Sequence, residues 1–389
     1  MVTRREVGFG VIGGGLMGRE FASATARWCH LIDLACKPKI VGVCDTNPGA
    51  LDWFESNFDG LFTTANYQDL LARSDIEAIY CAVPHHLHAS LYCDIINAGK
   101  HLLGEKPFGI DLSANSQIQS ALRRNPKVLA RCSSEFPFFP GAQRIIQFIS
   151  ERRFGRIIEI EAGFLHSSDL NPLKPMNWKR SIEYNGAYGC LGDLGMHVVH
   201  IPLRSGWAPR DVRAVLSKIV PMRPDSRGQP VPCETWDNAV LLCEVSVDGQ
   251  RFPMTLTTKR ISPGESNTWY IRITGTNFSA QYSTKYPKTV LTLPYEAGGP
   301  QDWHQSEVGY DSAYPTITGK FFEFGFSDAI LQMWAAFLDE LVHGQADMRQ
   351  PFICATPNET ELSHQIFTAA LQSQRLGEVT LVGAQQLNA

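Results

Sequence analysis

Short apolar runs alternate with helical stretches through the first third of the chain. Residues 7–12 form the first run and residues 19–26 the first helix. Further strands are predicted at 39–44, 78–83, 101–104 and 128–132, with a helix over 86–98. Strands that alternate with helices predict a parallel sheet. Residues 141–151 then read as a helix, and 156–164 as a strand of alternating character. From Val212 the pattern changes. Strands at 240–247, 252–260, 269–275 and 290–293, with Asp248-Gly249 as a hairpin turn, predict a mostly antiparallel sheet. Residues 327–340 and 358–374 read as closing helices. The stretch 294–326 is rich in Gly, Pro, Tyr and Trp and has no period. Loops of that length are usually functional or disordered, and this one is a candidate cover for a site.

The first apolar run ends in Gly13-x-Gly15-x-x-Gly18. Gly13 permits the tight strand-to-helix turn, Gly15 lets the backbone approach a pyrophosphate, and Gly18 lets helix and strand pack closely. Leu16 and Met17, between these glycines, are expected at the cofactor, and the N-terminus of the helix that follows offers free N–H groups and partial positive charge. The expected fold is α/β. Residues 1–133 form a doubly wound parallel Rossmann sheet that binds a dinucleotide. Residues 134–389 form a C-terminal α/β domain with a mostly antiparallel open sheet, its last helix returning to the first domain.

Composition narrows the class. The chain has 389 residues, 44% hydrophobic and 19% charged, with a formal net charge of −4. That balance gives no electrostatic case for nucleic acid or an anionic membrane. Ten scattered cysteines form no C-x-x-C pair. Free, buried thiols in a reducing cytoplasm account for them better than disulfides or zinc. Arg4-Arg5 precedes an apolar run, but that run is the first strand and glycine turn, so it is not read as an export signal. No run is long and apolar enough to span a membrane.

Asp45 ends the second predicted strand, 27 residues beyond Gly18. It is placed to grip adenosine ribose hydroxyls, and its carboxylate would repel a 2′-phosphate, so NAD is expected over NADP. The alternative is that Asp45 simply starts the Asp-x-Asn-Pro turn. Lys106 follows a strand end, where doubly wound sheets place their ligands. It suits proton exchange with a substrate hydroxyl or stabilisation of an alkoxide; an exposed turn lysine is the commoner fate. Asp193 and His197 stand at i and i+4 if residues 189–200 are helical, and so share a face. Histidine is the natural neutral-pH acid or base, and the carboxylate can orient it. From spacing alone, a helix-terminal Asp and a core His are more common. His200 falls near the same face, but no separate fourth ligand is evident and no metal is expected. His85, His86 and His88 lie at a strand end and are expected to line the cofactor cleft.

Taken in order, these motifs resemble the glucose–fructose oxidoreductase, inositol dehydrogenase and rhizopine-catabolism (Gfo/Idh/MocA) family. The resemblance covers the glycine turn, Asp45, Ala82-Val83-Pro84 with His88, and Ala98-Gly99-Lys100-His101 leading to Glu105-Lys106-Pro107. It continues through Gly192-Asp193-Leu194-Gly195-Met196-His197 to Thr356-Pro357-Asn358-Glu359-Thr360 and residues 370–374. It implies hydride transfer between a nicotinamide and a hydroxyl-bearing carbon of a sugar, glycoside or cyclitol, in a cytoplasmic homodimer or homotetramer. Lys106, Asp193 and His197 would match the family's catalytic groups. Pro84, His85, His88 and Glu105 would lie at the cofactor, and Glu135, Trp178 and Lys179 at the substrate. Three departures stand out. His85 occupies a position where many members carry Asn. His200 stands where relatives often carry Asp. Ser134-Glu135-Phe136-Pro137-Phe138-Phe139-Pro140 lacks a usual Arg and gains Glu135 and aromatics, which suggests a substrate stacked on rings. Two other activities remain open at this point: glycoside cleavage with retained NAD, and non-catalytic nicotinamide sensing.

Overall fold

A computed structural model describes residues 4–309, 311–319 and 321–383. The first run of apolar residues forms β1 (Arg5–Ile12), and the glycine turn leads into α1 (Leu16–Ala26). There follow β2 (Cys36–Cys44), α2 (Pro48–Asn57), β3 (Phe62–Thr64), α3 (Tyr67–Leu71) and β4 (Ala78–Cys81). Next come α4 (His88–Asn97), β5 (His101–Gly104), α5 (Leu112–Arg124) and β6 (Ala130–Cys132). After α6 (Pro140–Ser150), β7 (Ile157–Leu165) and α7 (Ile182–Asn185), the long α8 (Cys190–Arg204) leads into strands. These are β8 (Pro209–Ser217), β9 (Met222–Pro224), β10 (Pro230–Pro232), β11 (Asn238–Val247) and β12 (Gln250–Lys259). They continue with β13 (Thr268–Gly275), β14 (Phe278–Ser283), β15 (Thr289–Pro294) and β16 (His304–Glu307). The chain closes with α9 (Phe326–His343), α10 (Pro357–Leu376) and β17 (Thr380–Leu381).

Two compact units result. Unit 1 takes in residues 1–109, 113–138 and 311–357; unit 2 takes in residues 110–112, 139–310 and 358–389. The sequence reading placed one boundary between 133 and 134; here unit 1 is discontinuous and includes α9, while all of α10 past Pro357 belongs to unit 2.

Unit 1 is built on a six-stranded sheet in the order β3-β2-β1-β4-β5-β6, parallel throughout. The order reverses between β1 and β4, so their carboxyl ends border the crevice where such sheets bind ligands. Strands β1, β4 and β5 are almost wholly buried, as near-continuous apolar runs of a covered parallel sheet must be. On one face Trp334 of α9 packs against Phe9, Phe21 and Tyr80, with ring centroids 5.3, 3.8 and 5.1 Å away.

Unit 2 carries a nine-stranded sheet, β16-β15-β14-β13-β7-β12-β11-β8-β17, in which only β7 and β12 run parallel. Alternating burial along β8 and β11 gives this sheet one covered and one open face. Helix α8 packs on β7 and β12 and is buried from Cys190 to Leu203.

The aperiodic stretch resolves into two parts. One is the edge strand β16. The other is a strap within unit 1, where Tyr314 donates its hydroxyl to Asp339 at 2.9 Å and exchanges backbone bonds with the Gln332 side chain at 2.6 and 2.8 Å. Its polar latches are long-range, which is why no local period marks it. All ten cysteines are free, and all but Cys29 and Cys93 are buried. Among the described residues no helix is long and apolar enough to cross a membrane.

Candidate active site

The residues expected at the cofactor lie in unit 1. Gly13 turns the chain at a φ of 98°, and a Cβ there would fall 2.2 Å from the Ala82 carbonyl oxygen. A Cβ on Gly18 would fall 2.1 Å from the Gly13 carbonyl oxygen. Both positions therefore accept only glycine. Gly15 differs: nothing lies within 4 Å of its Cβ position, so the backbone there is open to an approaching phosphate. Leu16, at the first turn of α1, is 75% exposed, with Met17 beside it half-buried.

Asp45 accepts hydrogen bonds from the Gly14 amide at 2.7 Å and the Asn47 amide at 2.8 Å. It thus starts the turn into α2 and also fixes the glycine loop. Beyond β4, Pro84 leads into a 3₁₀ turn over His85–Leu87. His85 and His88 are buried. The His88 Nε2 bonds the Val83 carbonyl at 3.0 Å, and its Nδ1 accepts the Gly109 amide at 3.4 Å. Those partners assign the neutral Nε2–H tautomer. The ring stacks on Tyr92 with centroids 4.7 Å apart and lies 5.4 Å from His85. His88 therefore braces the loop after β4 against the loop after β5.

Glu105 and Lys106 follow β5, and the Lys106–Pro107 peptide is cis. Tyr80 donates to the Glu105 carboxylate at 2.8 Å, and Tyr92 donates to the Glu105 backbone carbonyl at 2.9 Å. Glu135, just past β6, is buried. Burial, reinforced by the Glu105 charge, pushes its carboxyl up to about 7, against the opposing pull of Lys106. The carboxyl edge of the sheet thus gathers two buried acids and one lysine. The neighbouring aromatics do not form a stacking platform. Phe136 and Phe138 are fully buried, Phe139 nearly so, and Phe136 and Phe138 pack on Phe326 and Phe352. The expectation of ring stacking from this stretch is corrected accordingly.

The predicted substrate-side residues Trp178, Lys179, Asp193 and His197 lie in unit 2. Residues 190–204 are helical, so Asp193 and His197 do share a face of α8. The Lys179 ammonium holds both Asp193 oxygens, at 2.9 and 3.2 Å, and Arg260 pairs with the same carboxylate. Lys179 also lies 5.5 Å from the centre of the Trp178 ring. His197 is buried with its ring edge-on to Phe164 at 5.6 Å, and its carbonyl accepts the Trp269 indole at 2.8 Å.

Four members of this cluster were not singled out from the sequence: His166, Asp169, Arg180 and Arg260. Asp169 is paired with Arg180 at 2.5 Å, Arg260 at 2.6 Å and Lys174 at 3.2 Å. Burial alone would raise Asp169, but Arg260 and Arg180 outweigh it and hold the carboxyl at about 2. His166 is depressed to about 4, first by burial and then by Arg260. Their convergence follows from one parallel strand pair. Because β7 and β12 run the same way, His166 and Asp169 emerge beside Arg260, with His166 N bonding the Lys259 carbonyl at 2.7 Å. Charged residues just past two strand ends were the available signal; the pairing that unites them was not.

His200 belongs to a separate group. Its Nε2 lies 3.2 Å from Arg204, which pairs with Glu359 at 2.7 Å. Burial, then Arg204, pushes His200 down to about 3. Among the described residues, no three His, Cys, Asp or Glu side chains are grouped to hold a metal.

Residues 7–131 match the oxidoreductase family with an NAD-binding Rossmann fold, GFO_IDH_MocA. The match covers the parallel sheet of unit 1, about a third of the chain. The levoglucosan dehydrogenase of Pseudarthrobacter phenanthrenivorans is 25% identical over 225 residues, 58% of this chain and 57% of that one. The glucose-6-phosphate 3-dehydrogenase of Bacillus subtilis is 25% identical over 221 residues, 56% of this chain and 60% of that one. The chain thus spans somewhat over half the length of these curated relatives. In fold the likeness extends further. A solved levoglucosan dehydrogenase in complex with NADH and L-sorbose superposes with a TM-score of 0.85 at 20% identity, covering 97% of this chain and 99% of that one. An inositol dehydrogenase homologue complexed with NAD+ from Azotobacter vinelandii gives 0.80 at 18% identity, covering 97% of each chain.

Proposed function

We propose that this chain is an NAD-dependent dehydrogenase that oxidises a hydroxyl of a sugar, glycoside or cyclitol. One observation carries the reading: Lys106 follows β5 at the carboxyl edge of an NAD-binding sheet, next to buried Glu105 in the chain, and its charge acts on buried Glu135. The glycine turn supports it, because the open space at Gly15 suits a pyrophosphate and the glycines on either side of it are sterically required. Asp45 would hold the adenosine ribose through lone pairs not used by Gly14 and Asn47. Leu16, Met17, Pro84 and His85 would border the cofactor, with His88 holding that border in shape.

When bound, the nicotinamide accepts hydride from the carbinol carbon. The protein must remove the hydroxyl proton and stabilise the developing charge. His197 or Lys106 takes that proton; the one that does not act as base donates a hydrogen bond to the oxygen. Asp193, fixed by Lys179 and Arg260, accepts from a neighbouring substrate hydroxyl. Lys179 and Trp178 would complete the substrate contacts, and Glu135 acts on Lys106 through its charge. The subunits would assemble as a homodimer or homotetramer.

The test is NADH formation across sugars, glycosides and cyclitols, with NADP in parallel. NAD-dependent turnover on one substrate class is expected. Lys106→Ala and His197→Ala should each lower kcat by about 10²–10⁴ with unchanged circular dichroism. Unchanged turnover in either folded variant overturns its assignment. Tight NAD retention with no net NADH would point instead to glycoside cleavage.

A further inference from the structure

Each nitrogen of the Arg260 guanidinium engages a different residue. Nε donates to the Asp169 carboxylate at 2.6 Å, one terminal nitrogen pairs with Asp193, and the other donates to the Ser168 hydroxyl at 2.9 Å. The backbone is fixed as well. The Arg260 amide donates to the Asp237 carbonyl at 2.9 Å, and its carbonyl accepts the Asp169 amide at 3.0 Å. The side chain is only 9% exposed. A lysine would carry the same charge but not this planar fork.

Ser168 extends the connection to His166. Its amide donates to His166 Nδ1 at 3.2 Å. Nδ1 is therefore an acceptor, and the ring proton sits on Nε2. The ring is half-buried, and among the described residues none bonds Nε2. Burial, then Arg260, then Lys179 oppose a second proton on this ring, against the weaker pull of Asp193 and Asp169. One guanidinium thus joins a carboxylate that only accepts to an imidazole whose remaining nitrogen only donates. Neighbouring hydroxyls of a polyol suit such a pair, because each can donate or accept.

We propose that Arg260 is a positioning residue that presents Asp193 and His166 to the substrate together, the carboxylate accepting from one hydroxyl and the Nε2–H donating to a neighbouring oxygen. This inference rests on the dehydrogenase reading, which places Asp193 at the substrate. His166 is then a specificity residue that reads one oxygen of the sugar or cyclitol ring.

Calorimetry on the full chain with NADH tests the pair. The probes are glucose, galactose and myo-inositol, then the monodeoxy analogues of the one that binds tightest. In the parent, two of the deoxy positions should each weaken binding by about tenfold or more. In His166→Ala one of those penalties should fall to about twofold or less while the other persists. In Arg260→Lys, which keeps the charge without the fork, both should shrink. Histidine NMR supplies a readout that needs no sugar. The His166 proton should sit on Nε2, with the ring titrating at about 4 in the parent. That midpoint should stay low in Arg260→Lys and rise in Arg260→Gln. A proton on Nδ1, or a ring charged at pH 7, overturns the proposal. So does His166→Ala weakening every analogue by one common factor, which is what a structural role alone would do. Arg260→Lys retaining both penalties overturns it too. Any of these results beside NADH formation sinks the pair and leaves the dehydrogenase standing. If none of the three parent sugars and cyclitols binds with NADH, both readings fall.

Discussion

Glu135 shows how one buried acid can set a pH dependence. Its folded-state carboxyl lies at about 7, against an ordinary value of 4.5. Between those values the folded protein binds a proton that the unfolded chain releases. Stability therefore falls as pH rises through that window, and the full cost is present above about 7. The shift corresponds to about 3 kcal/mol. Glu135→Gln has no proton to lose, so it should unfold at the same urea concentration as the parent at pH 4.5. At pH 8 it should be more stable by about 3 kcal/mol, or somewhat less if Glu105 relaxes. A gap that does not widen between those two pH values would show that Glu135 is not held protonated by its surroundings.

At the level of elements, what was legible in the sequence follows from how local each signal is. The need for glycine at 18 was legible because it depends on Gly13, within one β-α connection; at Gly13 the turn was legible, but the close approach of the Ala82 carbonyl from beyond β4 was not. The shared face of Asp193 and His197 followed from their spacing on the condition that 189–200 is helical, and α8 meets that condition over residues 190–204. The residues that hold Asp193 were only half legible. Lys179 was singled out, but Arg260 was not, since it arrives through the parallel pairing of β7 with β12. Burial was the harder quantity. Phe136 and Phe138 looked like a ring platform and proved to be core. Gly195 is a further case, because its need for glycine lies in a distant helix. A Cβ there would fall 2.4 Å from the Phe367 ring of α10. Gly195→Ala gains about 1 kcal/mol of helix propensity but meets an overlap worth about 1–3 kcal/mol. The overlap involves a buried ring and should win, giving a net loss of up to about 2 kcal/mol in urea unfolding. Turnover should fall too, because α8 must shift and it carries both Asp193 and His197. Gly195→Ala with Phe367→Leu should recover much of both losses. If the single variant is as stable as the parent, the packing of α8 on α10 is looser than described.

At the scale of the molecule, the family match ends at Arg131, but the unit that contains it does not. The sheet face bearing Phe9 is covered by Trp334, about two hundred residues beyond β6, the last strand of that sheet. Arg131 pairs with Glu340 of the same helix, and Cys132 forms a bridge with Ala355. The helix was visible from its apolar period; its partner was not, because nothing local in residues 327–340 encodes which sheet they cover. A fragment of residues 1–138 therefore carries the glycine turn, Asp45 and Lys106 and still loses the cover that Trp334 gives to Phe9, Phe21 and Tyr80. Removing a buried Trp alone costs about 3–5 kcal/mol, on the order of a whole domain's stability. The fragment should be unfolded or aggregated and should fail to bind NAD in equilibrium dialysis. Joining residues 311–357 to it through a flexible linker should restore a cooperative unfolding transition and NAD binding together. Trp334→Ala in that joined form should abolish both. If residues 1–138 alone bind NAD and unfold cooperatively, the nucleotide-binding unit ends where the family match does, and α9 is an addition to it rather than a part of its core.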